Sequence, residues 1–258
     1  MKKRLLARVA LGALLVLPAA LRAQDMLQGV DLSQPSYSQS EMSRADVEGA
    51  LKAGKRDFSG KSLNGLDLSG LDFSGANFRA ARLNKTRLSG AVLDGVILDQ
   101  AWLLQADLTG ASLKGVHAFA AQMQKMRADG ADFTGARVAG DLSGASLRGA
   151  KFNDANLSAD MKNQSMGLMR AVLRSAVLEG AQFRSANLMS ADLRFARASG
   201  ADFSRANLMN ADASGADFVG AVFTKAMTKD LDLDSAQIDA SAEQALESAQ
   251  HLDRARRQ

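Results

Sequence analysis

Leu or Phe returns at every fifth position from Phe58 through Leu63, Leu68, Phe73 and Phe78, in a stretch that reads DFSGKSLNGLDLSGLDFSGANF. Neither an α-helix of period 3.6 nor a strand of period 2 keeps such residues on one face. The beat continues through Leu83, Leu88, Leu93, Leu98, Leu103, Leu108 and Leu113. It weakens at Ala118, Met123 and Ala128, resumes at Phe133 and Val138, and takes one four-residue step to Leu142. Leu147, Phe152 and Leu157 follow, then an irregular piece, DMKNQSMG. Counting resumes at Leu168 and Leu173 and runs to Phe223. A second beat, mostly Ala, sits two residues earlier, and the position between the two is often Asp or Asn. Turn-forming pairs such as Ser-Gly and Thr-Gly follow the large residue. A fixed short period predicts a solenoid, because one unit cannot bury its own Leu and stacked coils can. Phe183, Phe203 and Phe223, spaced by twenty, are expected to form an internal stack.

The unit A(D/N)(L/F)xx resembles the repeat of the pentapeptide-repeat proteins, over roughly Asp57 to Thr228. The resemblance implies an all-β fold, a right-handed quadrilateral β-helix with four pentapeptides per coil. Leu/Phe and the preceding Ala then point inward. About 8.5 coils at about 4.8 Å each give a rod of roughly 40 Å. DMKNQSMG reads as a bulge on one side, since the phase recovers after it.

A solenoid needs its terminal apolar floors covered. Residues 43–56 predict an N-terminal capping helix, with Ser43 as N-cap and Lys52 and Gly54 at its end. Residues 24–42, rich in Gln and Ser, read as a flexible lead-in. Residues 229–258 predict a C-terminal cap with a helix over 241–257, on which Ala245, Leu246, Ala249 and Leu252 mark an apolar side. That side serves either as a cap or as a homodimer seam, the latter as in some relatives of the family.

Residues 1–23 have the layout of a signal peptide: Lys2, Lys3 and Arg4, an apolar run from Val9 to Leu21, and a cut after Ala23 or Ala20. The expected location is therefore the periplasm or the extracellular space. The segment carries five of the 32 Lys and Arg and no acid, leaving 27 bases against 28 acids. The high isoelectric point belongs largely to this leader and does not argue for nucleic-acid binding. With no Cys there is no disulfide framework.

The charged residues give no enzyme constellation. Asp recurs with the repeat, where its side chain serves nearby backbone groups rather than acid–base chemistry. His117 and His251 have no clustered third ligand, so neither metal nor cofactor is expected. The outer surface offers more. Met169, Met189 and Met209, spaced by twenty, are expected to form an outward ladder, flanked by Arg174 and Arg194 on the next side. Met and Arg are enriched at interfaces. Trp102, Leu104 and Ile97 form a second candidate. The function expected is an exported, non-enzymatic scaffold that binds a protein partner, with no small-molecule substrate. The alternative implied by the family is a DNA mimic that binds DNA gyrase. Against it, Asp57 to Thr228 holds 19 Lys and Arg and 16 Asp and Glu, whereas a mimic needs a strong negative field.

Overall fold

A computed structural model describes residues 34–159 and 169–258. The expected leader, most of the lead-in, and the stretch from Asp160 to Leu168 lie outside the described residues.

Each pentapeptide makes one side and one corner of a coil. At a corner the N–H of the small residue donates to the carbonyl of the large residue three positions back, as from Ala76 to Phe73 at 2.8 Å. The residue before the small one takes a positive φ, which identifies a type II turn. Gly fills many of these corners, but Ala80, Lys85, Ser185 and Phe195 also adopt a φ between 54° and 57°. Between corners only about one residue per side is free to pair. Phe58 N–H donates to Asn77 O at 2.8 Å, Gly60 N–H to Arg79 O at 2.8 Å, and Asn77 N–H to Arg56 O at 2.7 Å. Bridges therefore link residues twenty apart, and there are four such ladders.

Side 1 climbs through nine levels: Asp57, Asn77, Ile97, His117, Arg137, Asn156, Asn187, Asn207 and Met227. Side 2 runs from Ser62 through Trp102, Asp141, Val172 and Asp192 to Gln250. Side 3 runs from Asp67 through Arg127 and Arg197 to Gln237, and side 4 from Asp72 through Asp132 and Asp202 to Val222. Longer pairing occurs where side 1 turns into side 2. There β1 (His117–Gln122) pairs in parallel with β2 (Arg137–Asp141), with a register shift between Phe119 and Gln122.

The inward residues are buried as the beat requires, Leu108 and Leu188 among them. At Ala118 and Ala128 the large and small residues exchange places. Val116 and Met126, in the slot usually held by Ala, are buried beside Ala118 and Ala128. The expected ring stack is longer than the sequence spacing alone indicates. Phe133, Phe152, Phe183, Phe203 and Phe223 lie face to face on side 4, with centroids 4.6 to 5.4 Å apart.

The register across the irregular piece corrects the linear count. Asp141 pairs with Val172 and Asn156 with Asn187, so this level is 31 residues long. Ala171 N–H donates to Leu157 O at 3.3 Å, which makes Leu173 the next inward residue after Leu157. Met169 therefore does not lie beneath Met189. Ser158 does, since Ala159 N–H donates to Met189 O at 3.1 Å.

The lower end is closed by several donors. Residues 34–42, expected to be flexible, include a helical turn, α1 (Pro35–Ser38), and bind the first coils. Ser40 bridges Leu63 in antiparallel sense, and Glu41 N–H donates to Ser62 O. The capping helix is present as α2 (Arg44–Lys52), with a capping box between Ser43 and Asp46. Arg44 donates to Asp67 O at 2.8 Å and Arg56 to Asp72 O at 2.6 Å. These guanidinium groups take the place of the amides of a missing coil.

At the upper end the expected α-helix is absent. The chain forms β3 (Gln237–Ile238), two 3-10 helices, η1 (Ala240–Leu246) and η2 (Leu252–Arg254), and β4 (Arg256–Arg257), which pairs in parallel with β3. Ala242 and Leu246 are buried, while Ala245, Ala249 and Leu252 pack against the core. Covering the last apolar floor overrides the helix propensity of this Ala-rich segment. The apolar side read as a cap or a homodimer seam faces the core.

Candidate partner-binding face

The Asp and Asn residues beside the inward positions act locally. Asp57 Oδ1 accepts from Ser59 N–H at 3.0 Å, Asp132 Oδ1 from Thr134 N–H at 3.0 Å, and Asn207 Oδ1 from Met209 N–H at 3.1 Å. At Asp57 and Asp132 these bonds stabilise the carboxylate form. The Ser74 hydroxyl and N–H hold Asp72 below the usual carboxylate range.

Side 2 has one exception. The Asp192 carboxylate is fully buried and receives three arginines, Arg194 at 2.5 Å, Arg174 at 3.0 Å and Arg170 at 3.8 Å. Burial pushes Asp192 up to about 6 against the pull of Arg174 and Arg170, with Asp212 and Asp141 adding to the upward push. Arg194 also reaches Asp212 at 3.3 Å. Arg174 and Arg194 do stack one level apart, as their spacing requires, since Ser175 N–H donates to Arg194 O. They are half-buried and committed to this carboxylate, so they do not form the open flank expected for a contact patch.

Side 1 gathers the remaining candidates. Met189 and Met209 are in register on adjacent levels, since Ser190 N–H donates to Met209 O at 2.9 Å. Both are half-buried. Met227 joins them one level higher, where Asn occupies the levels below, and it is 49% exposed. Below Met189 the corner spanned by β1 and β2 leaves a cleft of about 240 Å³. His117, Phe119, Arg137, Asn156 and Ser158 contribute to its lining. Arg137 is exposed and forms no ion pair among the described residues. Phe119 N–H is held by Asp99 Oδ1 at 3.0 Å, and Asp99 in turn pairs with Arg79 at 3.2 Å.

The second expected patch is closed. Tyr37 stacks on Trp102, with centroids 5.6 Å apart, and Leu104 is buried.

A family model for pentapeptide repeats matches this chain in eight copies, over residues 72–110, 86–125, 120–159, 168–205 and 186–224. The chain belongs to the pentapeptide repeat family. Solved structures similar to it include the following three. HetL, a pentapeptide repeat protein involved in heterocyst differentiation regulation from the cyanobacterium Nostoc sp. strain PCC 7120, is 24% identical, covering 74% of this chain and 97% of its own, with a TM-score of 0.30. Full-length QnrB1, a plasmid-mediated fluoroquinolone resistance protein, is 20% identical over 74% and 88% of the two chains, with a TM-score of 0.29. The pentapeptide repeat protein alr5209, also from Nostoc PCC 7120, is 29% identical over 44% and 84%, with a TM-score of 0.32. Among curated proteins none matches this chain.

In this pentapeptide repeat protein the position of a residue within its unit tells which ladder it joins. Met227 occupies a slot that Asp or Asn usually fills, and that substitution was the available sequence signal for it. The cleft lies at the register shift between β1 and β2, and the four-residue step from Val138 to Leu142 was its sequence signal.

Proposed function

We propose that the protein is an exported, non-enzymatic scaffold that binds a protein partner through side 1 of the β-helix, the helix taken as right-handed and quadrilateral as in its family. The observation that carries this reading is the continuity of side 1. The cleft around Phe119 and Arg137 leads through Ser158 to Met189 and Met209 in one column, with Met227 in the neighbouring column above Asn207. Met side chains adapt to varied partners. A concave site lined by apolar groups and by both Arg137 and Asp99, on a rigid solenoid wall, supports binding rather than chemistry. Export rests on the charged, apolar and small-residue layout of residues 1–23.

A photo-crosslinking residue at Arg137 on side 1, compared with one at Arg127 on side 3, tests the reading in the native host envelope. A discrete adduct from position 137 and none from 127 is expected. Equal labelling from both sides overturns it. A supercoiling assay with purified DNA gyrase addresses the DNA-mimic alternative, and inhibition there would replace the scaffold reading.

A further inference from the structure

Among the described residues three large apolar side chains stand well exposed: Phe195 at 60%, Met227 at 49% and Val222 at 43%. Phe195 already lies over a backbone surface, since a Cβ on Gly215 would meet its ring at 2.6 Å. The other two sit five residues apart at the upper end of the rod, in the stretch VFTKAMTK from Val222 to Lys229. Val222 is on side 4 and Met227 on side 1, with Lys225 at the corner between them. Arg205 lies one level below Lys225 in the same corner, its N–H donating to Thr224 O at 2.9 Å. Lys229 lies directly above Met209, and Asn210 N–H donates to its carbonyl at 3.1 Å.

Arg205, Lys225 and Lys229 are exposed and form no ion pair among the described residues. Many cations elsewhere on the rod meet an acid on a neighbouring level, as in Arg79 with Asp99, Arg87 with Asp67, and Arg184 with Asp202. Of the acids bordering this region Asp202 is paired with a cation, whereas Asp230 and Glu247, at the start and within the cap, form no ion pair among the described residues. Asp202, beneath Val222, is held by Arg184 at 2.6 Å. Asp230 accepts from Gln250 at 3.2 Å, and Glu247 follows η1. The result is a corner with one exposed apolar side chain on either side and three cations, Arg205, Lys225 and Lys229, that form no ion pair among the described residues.

We infer that this corner docks an extended acidic segment of a protein partner. Apolar side chains of that segment cover Val222 and Met227, and its carboxylates meet Arg205, Lys225 and Lys229. The inference rests on the scaffold reading and names the chemistry of the partner. Complementary charge steers such encounters and selects against basic partners. An extended chain can follow the corner and cover both apolar residues. A planar lipid surface meets the corner at Lys225 and leaves the two sides turned away.

The test uses the full chain and a fluorescein-labelled peptide of alternating Glu and Leu, with Lys-for-Glu and Ser-for-Leu versions as counter-probes. Anisotropy should show saturable binding of the Glu/Leu peptide alone. The Arg205→Glu/Lys225→Glu/Lys229→Glu variant should weaken it by about tenfold or more, and added salt should weaken it as well. The Val222→Ser/Met227→Ser variant should weaken it severalfold at unchanged melting temperature. Equal binding of the Lys/Leu peptide, or no effect of charge reversal, overturns the inference. So does cosedimentation with phosphatidylglycerol vesicles in the absence of peptide binding. If the adduct from position 137 persists in the charge-reversed variant, the scaffold reading stands and this docking site falls. If neither adduct nor peptide binding is found, both fall.

Discussion

The five-ring stack on side 4 makes the stability of the rod depend on position in a way that can be measured. Phe183 is fully buried, with Phe152 and Phe203 parallel to it at 5.0 Å on either side. Phe183→Ala removes a large apolar group and leaves a cavity that stacked coils cannot close without shifting their ladders. The transfer and cavity contributions together cost about 3–5 kcal/mol. Loss of two ring contacts, at about 0.5–1.5 kcal/mol each, places the result at the upper end. Phe133, at the lower end of the stack, has one parallel neighbour, Phe152 at 4.6 Å. Its Ala variant should cost about 1 kcal/mol less. Phe183→Leu keeps most of the apolar volume and loses both ring contacts, so it should cost about 1–3 kcal/mol, less than Phe183→Ala. Equilibrium denaturation followed by circular dichroism and by Trp102 fluorescence measures all three. A loss below about 1.5 kcal/mol for Phe183→Ala, or equal losses at Phe183 and Phe133, would refute the argument that stacking neighbours set the cost.

Three further outcomes follow from the geometry. The raised native value of Asp192, about 6 against an ordinary 3.8, means that the folded form takes up a proton before the unfolded form does. Stability from this group should therefore rise by about 1–2 kcal/mol as pH falls from 7 to 4, after discounting for screening by the partly exposed arginines. Asp192→Asn should lose that slope in denaturation midpoints taken across the range. Asp72, held low by Ser74, acts in the opposite sense and loses its contribution as pH falls through its native value. Arg56→Ala exposes the Asp72 carbonyl at the lower edge, which should cost about 0.5–1.5 kcal/mol and raise end-to-end association in light scattering. Tyr37→Ala uncovers Trp102, the single tryptophan, and should shift its emission to the red with a loss of about 0.5–1.5 kcal/mol.

The inward set was legible because one residue of each unit has no alternative to the core. The same logic made the Asp and Asn bonds readable, since their partners lie two residues away. The level at DMKNQSMG was misread for an arithmetical reason with a physical cause. A beat of five cannot distinguish one extra residue from eleven, because two whole units can leave the wall without changing the phase. Leu168 and Met169 sit in phase with the beat, yet Ala171 closes directly onto Leu157. The roles of Arg174 and Arg194 were hidden because sequence spacing places side chains on a side but does not show a buried carboxylate between them. The cap at the upper end was misassigned because helix propensity is weaker than the demand to cover Phe223 and its neighbours.

The departures from regular coiling converge on the corner between sides 1 and 2, and this sets a testable constraint. Because each side pairs through about one residue, an irregular corner must be matched by the levels that touch it. The four-residue step at Val138–Leu142 meets this demand with Gly140, whose backbone lies against Ala121. A Cβ there would stand 2.5 Å from Ala121 O and 3.1 Å from Ala121 N. Neither atom can yield without breaking the β1–β2 pairing. Gly115→Ala meets nothing within 4 Å and carries only the conformational cost of its φ of 62°. Gly140→Ala should therefore lower stability by about 1–3 kcal/mol or more through overpacking. Gly115→Ala should cost about 1 kcal/mol. Thermal melts of the two variants decide between local crowding and a general intolerance of Ala for Gly. If Gly140→Ala is the milder of the two, the corner has slack, and the cleft beside Phe119 cannot owe its shape to the close approach of these two strands.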